Sequence, residues 1–299
     1  MASLSRNFRY EPGSALADYP NRVDLYDNAK KSVRKNVKRL SELQELLYAD
    51  NRYALLVVFQ GMDTAGKDST IEKVFSGVNP QGFQVFGFKQ PTYTDLDHNY
   101  LWRYWQRMPE RGRIGIFNRS YYEEALVVRV HPHIIEDRPL PNPPINDAFW
   151  EQRFEDFRHL EDHLGRNGTR VVKFFLNVSK EEQRQRLLRR LREPEKHWKF
   201  SSRDVIERGY WDQYQHAFEE VIRHTHTDDA PWYVIPADDK WTMRALVSDA
   251  IDETLGAMDL SFPKADPEEV ERFAQARAQL RAEAPDGHDQ ATGSATGDS

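Results

Sequence analysis

"LLVVFQGMDTAGKDST", residues 55–70, decides how the rest of the chain is read. Leu55 to Phe59 is an uninterrupted apolar run, as expected of a strand buried on both faces. It leads into Gly61, Gly66 and Lys67 at the spacing G-x-x-x-x-G-K. Glycines in such a loop let backbone N–H groups converge on an anion. The helix that follows adds partial positive charge at its N-terminus, and the lysine adds a full one. Gly61, Thr64, Ala65, Gly66 and Ser69 would make up the phosphate cradle. The usual motif places Ser or Thr directly after the lysine to hold a metal. Here Asp68 stands there, and the hydroxyl of Ser69 comes one residue late. Asp63 adds a carboxylate inside the loop. A carboxylate repels bound phosphate unless a cation lies between them, and Mg²⁺ takes one or two carboxylates plus phosphate oxygens. Asp63 is therefore the candidate metal ligand. Asp68 is either a second such acid or a helix cap or ion-pair partner.

Outward from this loop, short apolar strands alternate with helices. Residues 27–49 carry Val33, Val37, Leu40, Leu43 and Leu47 at helical steps. Strands are expected at 54–59, 83–88, 114–118, 170–178 and 232–236. Helices are expected from Lys67, over 95–108 (rich in aromatics), 146–165, 202–223 and 239–258. Ser179 with Glu182 three residues on forms a capping box that opens a basic helix. Asp266 and Pro267 open a last helix. Residues 1–26 read as an irregular arm, 137–144 as a Pro-rich loop, and the polar stretch from 285 as a disordered tail. Alternation of this kind predicts an α/β fold with a parallel sheet covered on both faces, its ligands at the carboxyl ends of the strands.

The residues after each strand carry the chemistry. Asn118 and Arg119 follow the third strand. An amide there orients water without charge, and an arginine binds phosphate or stabilises charge that develops in transfer. Glu123 and Glu124 either reach the site or serve as first-turn helix acids. Lys89, after the second strand, is a further phosphate contact. After the fourth strand, residues 184–203 hold eight Lys or Arg against two Glu, a local +6 on a chain whose total is −6. A charge run alone is usually a solvated face. Beside a phosphate loop it reads as a mobile arginine lid that excludes water from phosphoryl transfer. His131 and His133 in "RVHPH" lack companions for a metal site and read as structural. The aromatics of "YLWRYW", 100–105, read as core, with one or two free to flank a nucleobase.

Composition sets the outer bounds. The chain has 299 residues, 39% of them hydrophobic, and no cysteine. That is enough for a large core, and it excludes disulfides and thiolate metal sites. The N-terminus lacks a signal-like apolar stretch, and no run suits a membrane span. A soluble cytoplasmic protein is expected. The acidic total argues against a general nucleic-acid binder.

Several long stretches, in order, resemble one family: "GMDTAGKD", "FKQPT", "IGIFNRSYYEEALVVRVHP", "EKHWKFSSRD" and "APWYVIPADDKW". From about residue 27 to 263 the chain resembles the polyphosphate kinase type 2 family. The resemblance implies a P-loop kinase of three α/β/α layers, with a five-stranded parallel sheet and a helical lid over about 179–204. Residues 264–284 would be an added helix. It implies reversible transfer of phosphoryl groups from inorganic polyphosphate to nucleotides with Mg²⁺, Mn²⁺ being the alternative. It implies a homo-oligomer, dimer or tetramer, that takes neither nucleic acid nor membrane as partner.

By position, Asp63 matches the metal-coordinating loop acid, Lys67 the phosphate lysine and Arg119 the second-motif arginine. Arg190 and Asp204 match the lid arginine and the acid after it. Asp68 fits this family better than the general motif, whereas Ser69 stands where Gly is often found. Arg186 and Lys199 would be outer charges along a long donor. Tyr122 and Glu123 resemble the subgroup that phosphorylates both nucleoside mono- and diphosphates. The rivals are an ATP-dependent kinase, indifferent to donor length, and a non-catalytic loop protein that binds nucleic acid through 184–203.

Overall fold

The computed structural model describes residues 3–283, apart from 137, 139, 142 and 143. The expected tail from 285, and part of the Pro-rich loop, lie outside the described residues. Strands β1 (Ala54–Gln60), β2 (Phe83–Gly87), β3 (Ile114–Asn118), β4 (Thr169–Asn177) and β5 (Trp232–Pro236) form one sheet in the order β2-β3-β1-β4-β5. Every pairing is parallel. β1 lies at the centre and is buried along its whole length. That is why its sequence is continuously apolar instead of alternating. β3 and β4 flank β1 on opposite sides, so the crevice beyond their carboxyl ends receives three chain exits. The register pairs Phe59 with Asn118. The phosphate loop and the segment starting at Arg119 therefore leave the sheet close together.

The longer helices are α1 (Ala29–Asp50), α2 (Lys67–Val74), α3 (Asp147–Arg166), α4 (Lys180–Arg192), α5 (Ser202–Glu207), α6 (Trp211–Thr225), α7 (Lys240–Gly256) and α8 (Pro267–Ala282). α1 and α2 pack against α7 in one layer, and α3 lies on β4 and against α6 in the other. Asn28 starts α1 by accepting the Lys31 N–H at 3.0 Å. Val33, Leu40 and Leu47 then bury one face. Ser179 caps α4 by accepting the Glu182 N–H at 3.1 Å. The N-terminal segment is irregular but packed: Phe8, Tyr10 and Leu16 are buried, and the Tyr10 N–H donates to the Trp232 carbonyl at 2.8 Å.

Two expected helices differ. Residues 95–108 form no single helix, only one-turn helices at Tyr93–Leu96 and Trp102–Trp105. Thr92 and Asp95 cap the first reciprocally, and Asn99 then accepts the Leu101 N–H at 2.9 Å, starting a fresh turn. The expected helix over 202–223 is split by a 3₁₀ turn at Arg208–Tyr210, where Gly209 weakens helical continuity. The described residues up to Ser261 form one compact unit and those from Phe262 a second. In the second, Asp266 caps α8 by accepting the Glu269 N–H at 2.8 Å. Among the described residues no helix is long and apolar enough to cross a membrane.

Candidate active site

The loop between β1 and α2 depends on unusual backbone conformations. Gly61 has φ +150°, and a Cβ there would stand 3.0 Å from the Leu176 carbonyl oxygen. Gly66 has φ +114°. Thr64, which is not glycine, holds φ 65°. Strain of this sort persists only where the surroundings enforce it, and it is common at ligand clamps. Lys67 curls back into the loop: its buried Nζ donates to the carbonyls of Gly61 (2.7 Å) and Met62 (3.3 Å). Burial, with Arg119 nearby, pushes its amine down to about 8. The Ser69 hydroxyl donates to the Gly66 carbonyl at 3.1 Å. Asp68, in the first turn of α2, accepts a hydrogen bond from the neutral Asn118 amide, so it pairs with a neighbour without forming an ion pair.

Arg119 is the hinge of the second wall. It leaves β3 with φ 66° while its N–H still donates to the Phe59 carbonyl at 3.0 Å. The turn aims its guanidinium at the loop. Nη2 lies 2.5 Å from Asp63 Oδ1 and Nη1 lies 3.1 Å from Glu123 Oε2. The Gln60 amide, oriented to satisfy both of its polar atoms, donates to Glu123 Oε1 at 2.9 Å. Behind this segment, Tyr121 and Tyr122 both donate to the buried Glu161 at 2.6 Å, and Glu161 accepts from Lys173 Nζ at 2.6 Å. An unpaired buried charge would be costly, and this closed network fixes the two tyrosines and hence Arg119 and Glu123 on either side. Glu124 faces away from the loop, paired with Arg138 and Arg153 at 2.6 and 3.3 Å.

The third wall comes from α4 to α6. A small cleft is bounded by Asp63, Arg119 and Glu123 on one side and by Gln183, Asp204 and Glu207 on the other. Gln183 Nε2 donates to the Asp63 carbonyl at 3.0 Å, and Gln183 Oε1 accepts from Arg208 at 2.7 Å. Arg190 donates to Asp204 (3.2 Å) and to the Lys199 carbonyl (2.9 Å). Burial raises the Asp204 carboxyl, and the charge of Asp63 raises it further. Glu207 accepts from Tyr214 (2.7 Å) and pairs with His131 Nε2 (2.8 Å). His131 thereby ties the lid to the segment after Arg119.

The structure brings together Gly61, Asp63, Arg119, Glu123 and Asp204 around the cavity, with Lys67 and Arg190 each one contact behind. It separates others. Lys89 is exposed on the β2 side, its carbonyl accepting from Arg103 at 2.9 Å. Lys199 is exposed, lying over the Trp198 ring. Arg186 is not an outer charge: it is only 5% exposed. Its guanidinium donates to the carbonyls of Ala65 (2.7 Å), Thr64 (3.1 Å), Ala237 (2.6 Å) and Asp238 (3.2 Å), and its Nε to Glu182 (2.8 Å). Helical periodicity places it three residues from Gln183, on the face turned to the loop, so its direction was readable even though its partners were not. Gln183, Glu207, Arg208 and Tyr214 were missed. Only Gln183 had a local signal, its place one turn past the Ser179 cap.

Chemically, backbone donors and Lys67 can hold one phosphate chain while Arg119 stands between it and the cavity. Four carboxylates and two arginines line that cleft, a net negative charge that a cation would offset for a second anion. No group of three or more metal-ligating side chains exists among the described residues. The arrangement suits a metal shared between one protein carboxylate and substrate oxygens.

Comparison with known proteins is consistent across sequence and structure. The family model described as Polyphosphate kinase 2 matches residues 24–263. A Rhodopseudomonas palustris protein named ADP-polyphosphate phosphotransferase is 50% identical over 94% of this chain and 99% of its own. A Meiothermus ruber protein named AMP/ADP-polyphosphate phosphotransferase is 47% identical over 76% of this chain and 81% of its own. The crystal structure of polyphosphate kinase 2 from Arthrobacter aurescens TC1 superposes with a TM-score of 0.84, at 35% identity, over 93% of this chain and 97% of that one.

Proposed function

The chain belongs to the Polyphosphate kinase 2 family, and from that premise we propose how it works and on which acceptors. It is a polyphosphate-dependent nucleotide kinase. The acceptors are both nucleoside monophosphates and diphosphates, AMP passing through ADP to ATP. The observation that carries this reading is Arg119, bonded at once to the loop acid Asp63 and to Glu123. One side chain thus links the donor loop to the acceptor cavity.

The terminal phosphates of polyphosphate lie in the loop against Lys67. An oxygen of the nucleotide's last phosphate attacks the donor's terminal phosphorus in line. The new P–O bond lengthens the nucleotide by one phosphate, and the broken P–O–P bond leaves polyphosphate one unit shorter. Breaking one phosphoanhydride while making another keeps the reaction near thermoneutral and reversible. Lys67 and Arg119 offset charge on the transferring group, and catalysis is mainly positioning and neutralisation. Asp63 fits a metal role: it borders the cavity, and only its Oδ1 is engaged by a side-chain donor among the described residues. Mg²⁺, with Mn²⁺ as alternative, would be held through Asp63 and would supply positive charge to offset that of the phosphates. Arg190 reaches the phosphates by exchanging Asp204 for substrate. Glu123, held by Arg119 and Gln60, supports the shorter monophosphate through a water or cation in the space that a longer acceptor fills itself.

The test is an initial-rate comparison on purified protein with Mg²⁺, offering AMP or ADP as acceptor and polyphosphate or ATP as donor. Polyphosphate should convert AMP to ADP and then to ATP. Turnover of AMP with ATP alone would identify an ordinary nucleotide kinase instead. Turnover of ADP without AMP would confine the acceptors to diphosphates.

A further inference from the structure

His131 belongs to the segment that leaves β3 with Arg119 and Glu123, yet its side chain reaches the lid. Its Nε2 lies 2.8 Å from Glu207 Oε2, and the Tyr214 hydroxyl donates to that same oxygen at 2.7 Å. A carboxylate offers only acceptors, so Nε2 carries the hydrogen that joins the pair. The two side chains are 13% and 16% exposed. Tyr210 and Tyr214 meet the His131 ring edge-on, with centroids 4.9 and 6.4 Å away. The other oxygen of Glu207 lies 3.6 Å from Arg203, one turn back on α5. Burial alone would raise the Glu207 carboxyl, but the hydrogen bonds from His131 and Tyr214 hold it below its usual range.

The place of this contact in the lid sets it apart from an ordinary fold contact. Glu207 ends α5, and Asp204 stands three residues earlier, so the two acids share a face of that short helix. Both border the cleft, as do Leu126 and Val127 from the segment that leads to His131. Asp204 in turn accepts from Arg190 at 3.2 Å. The next residue, Arg208, donates to the Lys180 carbonyl and to Gln183 Oε1, each at 2.7 Å. The base of the α4–α5 hairpin is thus pinned twice, by Arg208 to the start of α4 and by Glu207 to the segment after β3. Among the described residues, the His131–Glu207 bond is the only side-chain hydrogen bond between α5 and residues 119–131. Glu124, whose role is structural, turns away from the loop toward Arg138 and Arg153. Glu207 instead keeps its anchor at the cleft wall, one helical turn from the acid that holds Arg190.

We propose that His131 is a positioning residue for phosphoryl transfer: together with Tyr214 it anchors Glu207 at the base of the lid, and through α5 it sets where Asp204 presents Arg190 to the cleft. This rests on the reading above, in which Arg190 leaves Asp204 for the phosphates. His131 touches no substrate in this scheme. It fixes the base of the lid against the segment that carries Arg119, so that the cations from lid and loop arrive in register. Its loss leaves the lid attached through Arg208 but lets α5 turn, which displaces Arg190 at the reacting phosphates.

The test is a double-mutant cycle on the full chain, with His131→Leu, Arg190→Ala and the two combined, and kcat and KM measured with polyphosphate and ADP. His131→Gln, whose amide can still donate to Glu207, is the conservative variant. His133→Leu, at an exposed neighbour, is the control, and melting curves check folding. His131→Leu should lower kcat about tenfold at saturating substrates, since misplacing a reacting group by about 1 Å can cost about a hundredfold. The KM for polyphosphate should change less than about twofold. His131→Gln should recover most of the loss, and the control should keep the wild-type kcat. On the Arg190→Ala background, His131→Leu should cost less than about a further twofold, because both substitutions break the same arrangement. Tyr214→Phe removes the second donor to Glu207 and keeps the ring. It repeats the cycle should His131→Leu lower the melting temperature, with a smaller loss of kcat that likewise vanishes beside Arg190→Ala. If both variants keep the wild-type kcat, or cost as much beside Arg190→Ala as alone, or the control loses equally, the anchor is wrong. If Arg190→Ala itself keeps the wild-type kcat, or the wild-type protein does not turn over polyphosphate, the functional reading fails and takes the anchor with it.

Discussion

Arg119 and Asp63 meet at 2.5 Å across the mouth of the loop. The cation assigned to the transferring phosphate and the carboxylate assigned to the metal thus neutralise each other in the free protein. Under the proposed function, substrates would separate this pair, leaving Asp63 free for the metal and Arg119 for phosphate. Asp63→Asn should therefore cost turnover on the order of a hundredfold, matching about 3 kcal/mol of lost charge stabilisation. Stability should change little, since Arg119 keeps Glu123. Near-normal kcat at saturating Mg²⁺ would remove Asp63 from the metal role.

Glu123→Asn probes acceptor choice. The substitution frees Nη1 of Arg119 and lightens the negative charge of the cavity. Rates with AMP should drop several-fold more than rates with ADP. An equal drop on both acceptors would make Glu123 an anchor for Arg119 and nothing more.

Arg186 tests the distinction between a donor contact and a pin. Arg186→Ala strips donors from four backbone carbonyls and from Glu182 at once. Removing one side of a buried charged network typically costs about 3–5 kcal/mol. The melting temperature should fall clearly, and turnover should fall by the same factor with short and long donors. A stable variant with weakened binding of long chains only would restore Arg186 to the outer donor contacts.

Lys67 gives a pH signature. Its amine, pushed down to about 8, is charged below that value and neutral above it. The native state therefore binds fewer protons than the unfolded chain between about 8 and 10.5. Stability from this group rises with pH across that window, while donor binding weakens. The kcat/KM for polyphosphate should fall as pH rises through about 8. kcat at saturating donor should hold to higher pH, because bound phosphates favour the charged amine. Profiles of kcat/KM that stay flat to pH 10 would contradict the assignment.

What was legible in the sequence was what is encoded locally. The β1 run, the loop spacing and the Ser179 cap are short-range patterns, and each maps onto the structure at the expected residues. The 95–108 helix was misread because aromatic spacing there is helical, while Thr92, Asp95 and Asn99 redirect the backbone. The role of Arg186 was hidden because its backbone partners lie 121 and 51 residues away. The lid's apparent surplus of charge was misleading for a related reason: Asp204 and Glu207, which neutralise Arg190 and Arg203, both lie past the basic run. Glu161 and Lys173, which steady the tyrosines beside Arg119, sit on α3 and β4, and nothing in either segment names the other.

The central claim is that the phosphate gained by the nucleotide is the end unit of polyphosphate. ³¹P NMR on wild-type protein with Mg²⁺, ADP and a polyphosphate of defined length follows both partners in one sample. Each new γ-phosphate of ATP should appear with one internal donor phosphate becoming a terminal one, and with no matching release of free phosphate. ATP formation without donor shortening, or donor loss as free phosphate with no gain by the nucleotide, would contradict the account.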